Sequence, residues 1–151
     1  MPKRRDIIRM TPDEVDEFLA GRHTMNIATL GPDGTIHLVA MWYGFLEGAP
    51  AFETYAKSQK VLNLRRNPTI TALVEDGDDY DELRGVELVG TAEIIDDRDR
   101  LMAAARSVVQ RYYPIDDPAA LDAAAEALSH KRVAVKINVE RVVSWDHRKA
   151  V

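Results

Sequence analysis

FETYAKSQKVLNLRRNP, residues Phe52 to Pro68, is the stretch on which the reading of this chain turns. A short β-prone run passes into a helix whose first turn carries Ser58, Gln59 and Lys60, and Asn67-Pro68 stops it. A helix start exposes unpaired N–H groups and the positive end of the peptide dipole. A hydroxyl, an amide and an ammonium there add donors suited to a phosphate. On spacing alone the plainer reading, a capping serine and a solvated lysine, is the stronger. The surroundings decide.

Working outward, Thr11-Pro12-Asp13-Glu14 reads as a helix start with a capping box and Pro at the first helical position. Val15, Phe18 and Leu19 give that helix an apolar stripe. Thr24–Leu30 and Thr35–Phe45 read as strands joined by the turn Gly31-Pro32-Asp33-Gly34, and Glu47-Gly48 leads to a third strand near Pro50–Tyr55. Beyond the Ser58 helix, Thr69–Val74 is a fourth strand. The acidic loop Glu75–Glu82 precedes a fifth, Leu83–Ile95, in which apolar and polar residues alternate. Asp96-Asp97 and Asp117-Pro118 open two further helices. A last strand carries Val133, Val135, Ile137 and Val139, with Val142–Trp145 as its extension. The expectation is one domain over residues 1–151, mainly β with peripheral helices, as a small barrel.

The strand Ile36–Phe45 is apolar on both faces: Ile36, Leu38, Ala40 and Trp42 on one, Val39, Met41, Tyr43 and Phe45 on the other. A monomeric barrel would leave one of these faces wet, so it calls for a helix, a flat ligand or a second subunit.

With 151 residues, 46% hydrophobic and 30% charged, the chain has the composition of a globular protein. It holds no apolar run of membrane-spanning length and no secretory signal, so a soluble, cytoplasmic protein without a membrane partner is expected. The absence of Cys removes disulfides and thiolate chemistry, and a net charge of −5 argues against nucleic acid. His23, His37, His130 and His147 are scattered, so no metal site is expected. Ser144-Trp145-Asp146-His147 holds the letters of a triad, but neighbours in extended chain point to alternate sides. Neither a dinucleotide fingerprint nor a P-loop is present. With no nucleophile, metal or acid–base pair in view, no catalytic residue is assigned. An enzyme of this kind takes its chemistry from a cofactor.

The order of elements, with SQKVLNLRRNP, LRGVELVGTAEII and RVVSWD in sequence, resembles the split β-barrel of the pyridoxamine 5′-phosphate oxidase-like superfamily of flavin and deazaflavin oxidoreductases. The likeness spans Thr11 to Trp145 and is nearest the branch described as using coenzyme F420. It implies that backbone groups of Val39–Met41, with His37, Ala40 and Trp42 on the same strand, run along the edge of the cofactor ring. It also implies that Thr54, Ser58, Gln59 and Lys60 hold the phosphate and ribityl chain. Arg84 and Gly85 would come from the neighbouring subunit of a homodimer, and Trp145 would wall the pocket.

Many flavin-binding members have Ser-Arg-Lys at the helix start and Arg where His37 stands, and both departures point toward the deazaflavin. The implied activity is hydride transfer between reduced F420 and a small unsaturated or aromatic substrate. Two alternatives accompany it. One is an FMN-dependent oxidase or flavin reductase, and the other a non-enzymatic carrier of flavin, deazaflavin, haem or fatty acid.

Overall fold

The structure, a computed structural model, describes residues 1–21 and 23–151. The TPDE signature does what its chemistry dictates: the Thr11 hydroxyl accepts from the Glu14 amide and the Glu14 carboxylate accepts from the Thr11 amide at 2.9 Å. A short helix α1 (Arg4–Ile8), which the sequence reading had not separated, precedes α2 (Pro12–Ala20).

Seven strands follow: β1 (Met25–Leu30), β2 (Ile36–Met41), β3 (Gly44–Leu46), β4 (Ala49–Tyr55), β5 (Thr69–Asp76), β6 (Arg84–Ile95) and β7 (Arg132–Asp146). Helix α3 (Gln59–Arg66) lies between β4 and β5. Helices α4 (Arg98–Tyr112) and α5 (Pro118–Leu128) lie between β6 and β7. All seven strands pair antiparallel in the order β2-β1-β5-β6-β7-β4-β3. Helices occupy nearly as much of the chain as strands. The fold is therefore mixed α/β, where a mainly β protein was expected.

The expected strand Thr35–Phe45 is broken, and the break shapes the molecule. β2 and β3 are the two edges of the sheet, yet only Trp42 and Tyr43 separate them. Laid flat, seven strands would hold these edges roughly 29 Å apart. Three Cα steps reach at most roughly 11 Å. The sheet must curl into a half-barrel for the chain to cross.

Tyr43 is fully buried at this crossing, its hydroxyl donating to the Leu19 carbonyl at 2.6 Å. Arg111 of α4 donates to the Tyr43 carbonyl at 2.9 Å and to the carbonyls of Leu19, Ala20 and Gly21, binding the end of α2 to the crossing. The hairpin β3–β4 turns at Glu47-Gly48, both with positive φ, the two-residue turn whose twist suits a hairpin.

Inside the curl, Met25, Ile27, Phe52, Ile70, Val74, Val86 and Ile137 form the main core. Ala51, Ile95, Leu101 and Ala134 form a second cluster, in which the outer side of β4 meets α4. Val39 and Met41 pack on the main core. On the opposite face of β2, Ile36 and Leu38 are 65% and 67% exposed. Among the described residues no helix buries Ile36 and Leu38, whereas Trp42 at the end of the same face stacks on Tyr112 of α4.

Candidate functional site

β4 delivers its residues alternately inward and outward, so Thr54 and Glu53 serve opposite sides of one strand. Thr54 is buried and faces the start of α3. Ser58 caps that helix, its hydroxyl accepting from the Val61 amide, and lies 3.4 Å from the Thr54 hydroxyl. Lys60, only 9% exposed, donates from Nζ to Thr54 Oγ1 at 2.8 Å. No carboxylate meets this ammonium among the described residues. Burial, and then the nearby positive charge of Arg132, lower the lysine pKa. A buried cation served by one hydroxyl at a helix start is under-neutralised, and an anionic oxygen would correct that.

Gln59 donates to Asn63 Oδ1 at 2.8 Å, and Asn63 donates to Thr29 Oγ1 at 3.1 Å, which fixes α3 to β1. His37 sits opposite Thr29 in the β1–β2 ladder, with a buried Nδ1 that has no partner. His37, Gln59, Asn63 and Thr35 share a cleft of about 550 Å³. A second hollow of about 310 Å³ lies beyond β4, where Ala40, Met41 and Trp42 meet Glu53, Tyr113 and Arg132. Trp42 stacks on Tyr112 with centroids 4.7 Å apart and stands edge-on to Tyr113.

The expected residues therefore fall in two places. Thr54, Ser58, Gln59 and Lys60 gather at the start of α3, and His37, Val39, Ala40, Met41 and Trp42 form the adjoining run of β2 and its end. Arg84, Gly85 and Trp145 lie elsewhere. Arg84 opposes Asp76, the end of β5 remote from α3, some seven residues or roughly 23 Å along the strand. It pairs with the Asp76 carboxylate at 2.8 Å and lies over the Phe18 ring. Trp145 faces Gly85 across the β6–β7 ladder so closely that a Cβ on Gly85 would stand 2.1 Å from the indole. A single chain does not bring these two groups together.

The letters Ser144-Trp145-Asp146-His147 make no triad. The Ser144 hydroxyl accepts from the Met10 amide, Asp146 is held by Arg148, and the His147 ring faces the Tyr80 carbonyl at 2.8 Å. Among the described residues no three ligating side chains gather for a metal. No helix there is long and apolar enough to cross a membrane.

Sequence reasoning passed over Glu53 and Arg132 as site residues. Glu53 is 4% exposed, its Oε1 has no partner, and burial raises its pKa to about 7. The available signal was a charged residue between Phe52 and Thr54 in a strand flanked by helices on its outer side. Arg132 stacks on Tyr55 at 4.5 Å and has no carboxylate partner among the described residues.

The family profile described as Pyridoxamine 5′-phosphate oxidase matches residues 11–146. The conserved hypothetical protein Rv2991 from Mycobacterium tuberculosis is 43% identical, and its crystal structure has a TM-score of 0.91, covering 99% of this chain and 92% of that one. A structure named F420 Reductase is 27% identical with a TM-score of 0.63, covering 84% of this chain and 94% of its own. The heme binding protein from Mycobacterium smegmatis shares the fold at 18% identity and a TM-score of 0.66, over 99% of this chain and 60% of that one. No curated protein matches the sequence.

Proposed function

Starting from the pyridoxamine 5′-phosphate oxidase family, to which this chain belongs, we propose an oxidoreductase that holds coenzyme F420 at the start of α3 and works as a homodimer. The observation that carries this reading is Lys60: a buried ammonium with a hydroxyl as its partner, beside the Ser58 cap and the amides of the first helical turn. A phosphate ester supplies the missing negative charge, and the donor set fits it. Similarity to the F420 Reductase favours the deazaflavin. So does His37 on the strand that would edge the ring, where an arginine would favour flavin.

When bound, the deazaflavin supplies a hydride donor or acceptor. The chain has to grip, orient and dry the site. Lys60, Ser58 and Thr54 hold the anionic handle, with Gln59 braced by Asn63. The backbone of Val39–Met41 presents donors and acceptors along the edge strand β2. Trp42, stacked on Tyr112, gives a rigid aromatic wall at the end of that strand. Alignment and exclusion of water then do most of the work asked of the protein.

The dimer reading rests on the bare apolar face of Ile36 and Leu38. A second copy covering it would bring in Arg84, Gly85 and Trp145 from the other chain. Because haem proteins share this fold, a carrier that binds without turnover is the competing function.

The test is a titration of the purified protein with F420, FMN and haem in parallel, with light scattering for mass. Saturable quenching of F420 fluorescence by a protein of twice the chain mass is the expected result. Tight FMN binding without F420 binding would transfer the chain to the flavin enzymes, and haem binding alone would make it a carrier.

A further inference from the structure

The hollow between β2, β4, α4 and α5 has a composition of its own. Its walls are aromatic and aliphatic, from Trp42, Tyr113, Val108 and Leu128, and its polar members are Glu53 and Arg132. At about 310 Å³ it sits at the low end of ligand pockets, roughly 300–1,000 Å³, which suits one ring rather than a dinucleotide.

Its two polar groups are both short of partners. Glu53 Oε1 has none. Oε2 lies 3.3 Å from the Ser129 hydroxyl, but that hydroxyl also stands 2.7 Å from the Ala125 carbonyl and has a single hydrogen to give. The Arg132 guanidinium rests on the Tyr55 ring with no carboxylate at ion-pair distance among the described residues. An arginine and a glutamate lining one pocket without bonding to each other leave both sets of hydrogen-bonding groups for a third party. With Glu53 protonated the pocket carries net positive charge.

We propose that this hollow is a binding site for a small aromatic monocarboxylate, whose carboxylate lies between the Arg132 guanidinium and the Glu53 carboxyl while its ring packs against Trp42 and Tyr113. The fork of an arginine matches a carboxylate in two parallel bonds. The last torsion of a glutamate is soft, so either oxygen can present the acid hydrogen. The groups around Glu53 are Arg132 from β7, Ser129 at the end of α5 and Tyr113, the residue that follows α4. None of them is a carboxylate, so none competes for its proton. Burial favours the neutral acid, with a pKa of about 7. This site needs none of Ser58, Gln59 or Lys60 and shares with the cofactor reading only the end of β2, from Ala40 to Trp42.

The experiment titrates the cofactor-free protein with benzoate, followed by tryptophan fluorescence between roughly pH 5.5 and 9, where benzoate stays ionised. The expected result is a saturable quench that disappears in Trp42→Phe, which separates it from Trp145. Affinity should be flat below pH of about 7 and fall about tenfold per unit above it, as Glu53 loses its proton. Glu53→Gln, which keeps a neutral donor, should bind with no such pH dependence. Arg132→Met should lose about tenfold or more, the size of one charge-assisted hydrogen bond.

No saturable quench in the wild type, a quench that survives Trp42→Phe, or a wild-type pH profile identical to that of Glu53→Gln would each overturn the proposal. F420 titration of the same preparations separates the two readings. Benzoate binding without F420 binding sinks the cofactor assignment and leaves the pocket, and the reverse sinks the pocket and leaves the cofactor.

Discussion

The two ends of the barrel treat charge in opposite ways. Around the start of α3, Lys60 has a hydroxyl as its partner, Arg132 a ring face, and Glu53 a bare oxygen. At the other end three cations meet carboxylates: Arg84 with Asp76 at 2.8 Å, Arg148 with Asp146 at 2.8 Å, Lys149 with Glu14 at 2.7 Å. Buried charge without a partner costs free energy, and a fold keeps it only when something else requires it. The paired end needs no ligand to explain its groups. The unpaired end is where both proposed ligands would bind.

The largest expected break in this contrast is at Glu53. Its pKa is raised to about 7 in the folded protein, chiefly by burial, against an ordinary value near 4.3 in the unfolded chain. The unfolded state therefore releases its proton first, and stability falls as pH rises through that window, levelling off above the folded pKa. The loss is on the order of 3 kcal/mol for a shift of this size. Urea unfolding of wild type and Glu53→Gln at pH 5 and pH 8 checks it. The glutamine variant should lack the decline attributable to this residue, and equal pH dependence in the two proteins would show that the carboxyl is solvated after all.

Next in size is Lys60. Lys60→Ala should weaken F420 binding by about 10- to 100-fold, the worth of a charge-assisted hydrogen bond of roughly 1.5–3 kcal/mol. Because burial lowers the pKa of this lysine, its charge is a burden on the empty protein. Lys60→Met should accordingly leave the cofactor-free Tm unchanged or raised. A lower Tm with unaltered F420 affinity would make the ammonium a structural group and erase the difference between the two ends.

What could be read from sequence divides along the same line. Local signals were legible because they act within a few residues: the Thr11–Glu14 capping box, the first β-hairpin, the Ser58 cap and the Asp117-Pro118 start are all in place. The break at Trp42–Tyr43 was not, because Gly44 is its one local mark and the apolar alternation runs on from Ile36 to Phe45. It is made by Leu19 and Arg111, remote in sequence, which hold Tyr43 by hydrogen bonds. Glu53 was passed over for a related reason: its isolation depends on α4 and α5 closing over the outer side of β4. The Ser58–Lys60 turn could be picked out from composition. That its lysine is buried and unneutralised could not.

At the paired end, Gly85 offers a smaller effect. Any side chain there runs into the Trp145 indole, with a Cβ at 2.1 Å from the ring. Gly85→Ala should cost roughly 1–3 kcal/mol, as overpacking does, and each kcal/mol should appear as roughly 2–4 °C in Tm for a chain of this size. Combining it with Trp145→Leu should cost less than the sum of the two single changes, since the clash disappears with the ring. Additive losses would mean the glycine is needed for its backbone and not for the indole.

The smallest expected effect on stability is also the one that tests whether the two ends ever meet. Arg84 and Asp76 form a partly exposed pair with side chains 27% and 48% accessible, of a kind worth about 0–1 kcal/mol. Arg84→Ala should therefore move the cofactor-free Tm very little. If a second copy brings this arginine to the Ser58–Lys60 turn, the same substitution should weaken F420 binding several-fold, and Asp76→Asn, which frees the guanidinium from its carboxylate, should not weaken it. Both affinities unchanged would leave Arg84 as a surface charge answering the acidic loop. The contrast between the ends would then belong to a single chain, with nothing passing from one subunit to the other.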